Sequence, residues 1–283
     1  MSHQAAMLPD GRRLHLHHGP IDLVIGAEGA GRAAALRAAE TRFASVMDEL
    51  VAELPLLRSP ADPGRRPTGV MARRMHAAVL PFLPAFITPM AAVAGAVADE
   101  ILAAMTAAGP LETAYVNNGG DVALHVAPGH SLRAAIAAGL GDRATIRHAD
   151  PVRGVATSGR GGRSFSLGIA DSGTVLAACA AEADAAATMI ANAVDLPGHP
   201  AIIRVPAHDI SPDSDLGARL VTRAVGPLSD AETARALAAG LRAAQVLHAR
   251  GLIAAALLTL NGARRIAGAP GLIPDPAKEA TDA

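Results

Sequence analysis

Val116-Asn117-Asn118-Gly119-Gly120-Asp121-Val122 runs an alternating strand into two glycines and a carboxylate, and a second apolar strand follows at once. Two glycines between apolar segments signal a tight antiparallel hairpin. Without a Cβ, Gly119 and Gly120 let a ligand approach the backbone, and Asp121 gives that approach a charge. Taken alone, the stretch is a hairpin turn. Its meaning for function depends on what flanks it.

Upstream, residues 90–107 form an alanine-rich helix whose first ten residues carry almost no bulk, suited to close packing against a sheet or a bound molecule. Thr88-Pro89 offers an N-cap and a first-turn proline. Further back, residues 30–56 read as one long helix closed by Pro55, and residues 68–80 as a shorter one exposing Arg73, Arg74 and His76. Residues 8–26 alternate around Gly19-Pro20 as a hairpin, with His15 and His17 on one strand face beside His18. Two such histidines can chelate a metal, but no third ligand lies nearby, so a solvated face is preferred.

Downstream, strands are expected at residues 132–138, 144–148, 164–169 and 174–177, with a Gly- and Ser-rich loop before the last two. A helix follows at 181–194. Residues 228–250 make an amphipathic helix with Ser229 and Glu232 as a capping box. A last hairpin crosses Asn261-Gly262. Strands and helices mix without a regular βαβ alternation, so the fold class is α+β with an antiparallel sheet, a single large domain over residues 1–267 and a loose tail over 268–283.

Composition narrows the function. Hydrophobic residues make up 51% of 283 and aromatics only 2%, which excludes a base-stacking platform. A net charge of −1 gives no field for nucleic acid or an anionic membrane. Cys179 stands alone, so there is no disulfide framework, and a small buried hydrophobe is its ordinary role. The longest uninterrupted apolar stretches are about nine residues against the roughly 20 a membrane helix needs, and no signal-type run precedes Asp10-Gly11-Arg12-Arg13. The expected location is cytoplasmic.

Two constellations could carry chemistry. Asp184 and Thr188 lie one helical turn apart on one face, both hard oxygen ligands of the kind Mg²⁺ takes. Such pairs also arise on solvated helices, but Asp184 is flanked by alanines, and a lone acid on an apolar face needs a partner. Ala156-Thr157-Ser158-Gly159-Arg160-Gly161-Gly162-Arg163-Ser164 packs three glycines, two arginines and three hydroxyls into nine residues. It reads equally as a phosphate-binding loop or a solvated one. It lacks the Gly-Lys-Ser/Thr ending of a Walker A loop.

Four motifs in order, Met90-Ala91-Ala92-Val93-Ala94-Gly95-Ala96-Val97-Ala98-Asp99, Val116 to Asp121, Ala156-Thr157-Ser158-Gly159 and Ala183-Asp184-Ala185-Ala186-Ala187-Thr188, resemble the ApbE-like superfamily of Mg²⁺-dependent flavin transferases. The resemblance spans about residues 88–194 and is closest to the short, functionally uncharacterised cytoplasmic branch. It implies a T-fold-like α+β fold, a Mg²⁺ site, and a site for FAD or a related nucleotide, with transfer of FMN to an acceptor protein. Carried over, Asp184 and Thr188 match the metal-binding side chains. Ala187 and Ala91 match further metal contacts. Asn118, Gly119, Gly120 and Asp121 match the glycine-rich turn beside the nucleotide. Thr157 and Ser158 belong to the third motif, and Arg160 and Arg163 stand beside it as phosphate ligands.

The chain also departs from the transferases. Thr88 stands where they carry an acid and Ala94 where they carry Lys or Glu. Their His-Ile-Ile-Asp-Pro loop is absent. Two functions follow: a Mg²⁺-dependent enzyme acting on FAD or another phosphate-bearing cofactor, or a binder of a flavin, a pterin-like molecule or a nucleotide that kept the fold without the chemistry. No catalytic nucleophile is assigned, and oligomeric state, including a homo-oligomer, stays open.

Overall fold

The computed structural model describes residues 3–136, 143–269 and 271–273. Most of the expected tail (268–283), together with positions 137 and 138 of one expected strand, lies outside the described residues. The fold class is α+β with a large, mainly antiparallel sheet. The chain forms two compact units, each assembled from separate segments: one within Met1–Leu132, Ile146–Ala156 and Ala177–Ala185, the other within Arg133–Thr145, Thr157–Leu176 and Ala186–Ala283.

The chain begins with strands β1 (Gln4–Met7), β2 (Leu14–His18) and β3 (Ile21–Glu28). Helix α1 (Arg32–Ala52) buries Ala35, Ala39, Phe43, Val46 and Leu50 at helical spacing, and the short α2 (Leu54–Leu57) follows. The expected single helix therefore breaks at Glu53, because Pro55 has no N–H to continue the ladder. Helix α3 (Val70–Val79) is followed by the 3-10 turn Pro89–Ala92 and by α4 (Val93–Ala107). His76 of α3 is buried, not exposed, with its Nε2 2.9 Å from the Asp62 carbonyl. Thr88 precedes the 3-10 turn in an extended conformation and does not cap it through its side chain.

Strands β4 (Thr113–Asn118) and β5 (Asp121–Val126) form the hairpin at Gly119-Gly120, with Asn118 paired to Asp121. Both glycines have positive φ, 64° and 117°, as a two-residue hairpin turn requires. Ala114, Val116 and Asn118 point to the buried side at period two. Strands β6 (Ser131–Ala135) and β7 (Arg143–Arg147) pair with each other, and β8 (Gly154–Ser158) pairs with β5. In the first unit the strand order is β1-β2-β3-β4-β5-β8. Helix α4 packs on β4 and β5 and against α1. Pro89–Ala107 is apolar and long enough to cross a membrane by length and composition, with a mean hydropathy of 1.5, and it serves here as a core element.

The chain goes on through β9 (Ser172–Ala177), α5 (Ala180–Ala193), β10 (Ile202–Pro206), α6 (Ala207–Ile210), β11 (Leu220–Val225), α7 (Asp230–Ala249), β12 (Ala255–Leu260) and β13 (Ala263–Gly268). In the second unit β9, β12 and β13 are neighbours in that order, α7 packs on β12 and β13, and β10 and β11 make a separate ribbon. β8, expected as loop, is a strand. Residues 164–169, expected as a strand, are irregular, because their backbone is satisfied elsewhere: Leu167 N–H donates to Asn192 Oδ1 (2.9 Å) and Ile169 N–H to the Val194 carbonyl (2.8 Å). The capping box of α7 is present, with Ser229 Oγ accepting from Glu232 N–H and the Glu232 carboxylate accepting from Ser229 N–H at 2.8 Å. The last hairpin turns at Asn261 and Gly262, both with positive φ.

Helices α4 and the start of α5 meet through their N-termini, and this junction positions the site. Asp99 of α4 accepts hydrogen bonds from Ala180 and Ala181 N–H, both 2.9 Å, at the first turn of α5. Asp184 of α5 accepts from Gly95 N–H at 3.0 Å, and also from Ala94 N–H, at the first turn of α4. Each helix supplies the carboxylate that satisfies the other's orphan donors. The approach needs glycine: a Cβ on Gly95 would lie 2.2 Å from the Ala180 carbonyl oxygen, and one on Gly154 would lie 2.1 Å from the Cys179 carbonyl carbon.

Gly95→Ala is expected to destabilise the protein by about 3 kcal/mol, read as a lower urea midpoint at unchanged slope; a loss under about 0.5 kcal/mol would show that the helices do not meet this closely. Ser229→Ala is expected to cost about 1 kcal/mol in the same assay.

Candidate functional site

The site is built on the first turn of α4 in the first unit. Asn118, buried at the end of β4, donates from Nδ2 to the Ala94 carbonyl at 3.1 Å. That bond fixes the Gly119-Gly120 turn against the helix start. Gly120 N–H returns to Asn117 Oδ1 at 2.8 Å, and both turn glycines are exposed, with open space where a Gly120 Cβ would stand. Asp121 follows directly, half-buried.

Asp184 enters the same neighbourhood from α5. Asp184 is half-buried as a residue, and its carboxyl is surrounded by protein. Burial is the largest cause that pushes its pKa well above the ordinary 3.8, and the charge of Asp121 pushes the same way, against the Gly95 and Ala94 N–H groups. Asp99 adds a third negative charge, and its own pKa is raised by burial against the pull of the Ala181 and Ala180 N–H groups and of the Arg74 guanidinium. Thr188 lies one turn beyond Asp184 on α5, half-buried, with Ala187 buried beside it, and Ala91 sits half-buried in the 3-10 turn before α4. Among the described residues no group of three or more His, Cys, Asp or Glu is arranged to hold a metal. A Mg²⁺ site needs no such group, because one carboxylate with hydroxyl, carbonyl and water oxygens suffices. The donor set around Asp184 is of that oxygen-only kind, and the crowding of carboxylates favours a cation.

Cys179, the residue before α5, has its thiol pushed up to about 12 by burial and by the neighbouring Asp99 charge, which keeps it protonated and inert. Glu182 is raised too, by burial first and Asp99 second. Asp99 was not singled out as a site residue from the sequence. Its signal was there: it is the first charge after a run of small apolar residues.

The sequence-selected residues from Thr157 to Arg163 lie in the second unit. Thr157 Oγ1 and Thr174 Oγ1 are 2.9 Å apart. Gly159 has φ 143°, and a Cβ there would stand 2.8 Å from the Asp171 carbonyl oxygen. The N–H groups of Arg160 and Gly162 donate to the carbonyls of Ala170 (2.9 Å) and Gly159 (3.1 Å). Arg160 forms an ion pair with Asp171, Ser158 is half-buried, and Arg163 is exposed. On β2, His15 Nε2 lies 2.9 Å from Asp22 Oδ1.

Comparison with known proteins places the chain. The family model described as AbpE bacteria matches residues 5–266. A UPF0280 protein of Methanopyrus kandleri is 35% identical over 184 residues, covering 60% of this chain and 69% of that protein. UPF0280 proteins of Methanothrix thermoacetophila and Methanocella arvoryzae are each 35% identical over 157 and 160 residues, and the chain spans 63% of the length of each. Among solved structures, the apo form of the Pseudomonas stutzeri flavinyl transferase ApbE aligns over 95% of this chain and 94% of its own at 12% identity, with a TM-score of 0.38. The chain belongs to the AbpE bacteria family, and it is related to the UPF0280 proteins.

Proposed function

We propose that the protein is a Mg²⁺-dependent, flavin-transferase-like enzyme that acts on FAD or another phosphate-bearing cofactor, in the cytoplasm, with a protein as acceptor. The observation that carries this reading is Asp184: a carboxyl held at a helix start and surrounded by protein, raised by that burial and by Asp121. A buried acid crowded by another acid favours a cation as its partner. Asp184 and Thr188 would hold the metal through side-chain oxygens, and Ala91 and Ala187 would contribute from the backbone. When bound, Mg²⁺ neutralises phosphate charge in the substrate.

The chain's own residues do the rest. Gly119 and Gly120 admit the nucleotide beside Asn118, and Asp121 orients it. Arg160 and Arg163, with Thr157 and Ser158, bind phosphate; Arg160 exchanges Asp171 for it. In the transfer the acceptor hydroxyl oxygen bonds to the FMN phosphorus, the pyrophosphate P–O bond breaks, and AMP leaves. Asp121 would take the hydroxyl proton.

A second reading is a non-catalytic binder of a flavin, a pterin-like molecule or a nucleotide. It is favoured by the double backbone satisfaction of Asp184, which makes that residue useful as a helix cap without any metal. Thr88 and Ala94, in place of the transferases' charged residues, point the same way.

Incubation with FAD, Mg²⁺ and a threonine-bearing acceptor peptide is expected to release AMP, falling at least about 100-fold in Asp184→Asn. Equal release by the two proteins would sink the metal assignment, whereas FAD binding without turnover would select the binder. A second readout needs no activity. Mg²⁺ at about 100 times its Kd is expected to stabilise the folded protein by about 2.7 kcal/mol. Because the pKa of Asp184 is raised, protons compete with the metal at higher pH than for an ordinary aspartate, so this stabilisation is lost as pH falls through that raised pKa. A thermal shift independent of pH, or retained in Asp184→Asn, would contradict it.

A further inference from the structure

A cleft of about 400 Å³ opens between two turns of the first unit, and the chemistry proposed above does not use it. Its polar lining is His130 and Ser131 from one turn and Arg147 and His148 from the other. The first turn closes with His130 N–H donating to the Ala127 carbonyl at 3.1 Å, and Gly129 between them has φ 83°. The second closes with Asp150 N–H on the Arg147 carbonyl at 3.1 Å.

These turns are built to hold their positions. Arg153 spans the second one, donating to the His148 carbonyl at 2.7 Å and the Asp150 carbonyl at 2.9 Å. His148 Nδ1 lies 2.8 Å from the Val126 carbonyl oxygen and ties the second turn to the end of β5. A carbonyl only accepts, so Nδ1 carries the proton, and Nε2 is left to accept from a protonated phosphate oxygen. The acid in this turn, Asp150, is already engaged: its Oδ2 accepts from Arg147 N–H at 2.7 Å. Among the described residues the Arg147 guanidinium has no ion pair or hydrogen bond, and it is exposed. Most other arginines with printed partners sit on a carboxylate or a carbonyl, as Arg42, Arg74, Arg153 and Arg204 do.

An unpaired guanidinium fork beside two imidazoles and a hydroxyl, on a preorganised frame, matches the oxygens of a phosphate. We propose that this cleft binds the phosphate group of a small molecule, held bidentately by Arg147 with His130, Ser131 and His148 completing its shell. Its volume suits a phosphate with a few further heavy atoms. The overall charge of −1 gives no long-range field for a polyanion.

The test is calorimetric titration of the full chain, with EDTA and without flavin, using inorganic phosphate in one arm and glycerol 3-phosphate in the other. Binding with a Kd of about 1 mM or tighter is expected, weakened about tenfold or more in Arg147→Ala and less in Arg147→Lys, which keeps charge without the fork. Tighter binding of glycerol 3-phosphate identifies an organic phosphate as the ligand, and tighter inorganic phosphate identifies the free ion. No heat from either probe up to about 10 mM, or equal affinities in wild type and Arg147→Ala, would overturn the proposal. Arg147 is exposed, so loss of folding does not confuse the result.

Discussion

Two carboxylates and two helix starts hold the first unit in register. Asp99 on α4 satisfies the first N–H groups of α5, and Asp184 on α5 satisfies those of α4. A helix start leaves backbone donors without intrahelical partners, and it carries a partial positive charge. Local capping answers this at α7, where Ser229 and Glu232 serve their own helix. No local side chain caps α4, so the answer there is tertiary. The exchange is charge-assisted in both directions, and neither helix can shift without stranding donors of the other.

That constraint explains why the segments around it are so poor in bulk. Gly95 and Gly154 stand where any Cβ would meet the backbone of residues 179–181. The alanines around them leave the two chains room to approach within hydrogen-bond distance. Asn118 extends the same lock to the hairpin, since the Ala94 carbonyl it binds belongs to the turn whose N–H groups face Asp184. The exposed Gly119-Gly120 turn is therefore anchored at its base and open at its tip.

Much of this was legible in the sequence because it rests on local signals. The Gly-Gly hairpin, the capping box of α7 and the Asn261-Gly262 turn each follow from a few adjacent residues with definite backbone demands. The Asp184 to Thr188 spacing on a helix was equally plain. What escaped was non-local. Residues 164–169 have strand-like composition, but Asn192 and Val194 from distant sequence take their backbone bonds. β8 hid in a glycine- and serine-rich stretch because its pairing with β5 is not written in its own residues. The burial of His76 depends on the Asp62 carbonyl, fourteen positions away. Asp184 looked like a lone acid in need of a partner and Asp99 was not singled out, and sequence could not say that each acid serves the other's helix.

A single aspartate proposed as both helix cap and metal ligand raises the question of whether the two roles exclude each other. They do not, on the count of lone pairs. An ionised carboxylate offers about four acceptor positions, and the backbone N–H groups of Gly95 and Ala94 use two. Those same donors favour the ionised form, which is the form a cation needs, while burial and Asp121 favour the neutral form. The opposing influences leave Asp184 held in place but electrostatically uncomfortable. A purely structural cap would be better served by a solvated or singly charged setting, as Glu232 is at α7, where backbone and His199 partners lower its pKa to about 2. Asp184 instead shares its surroundings with two further acids, and it is this cost, unneeded for capping, that argues for a cationic partner at the site.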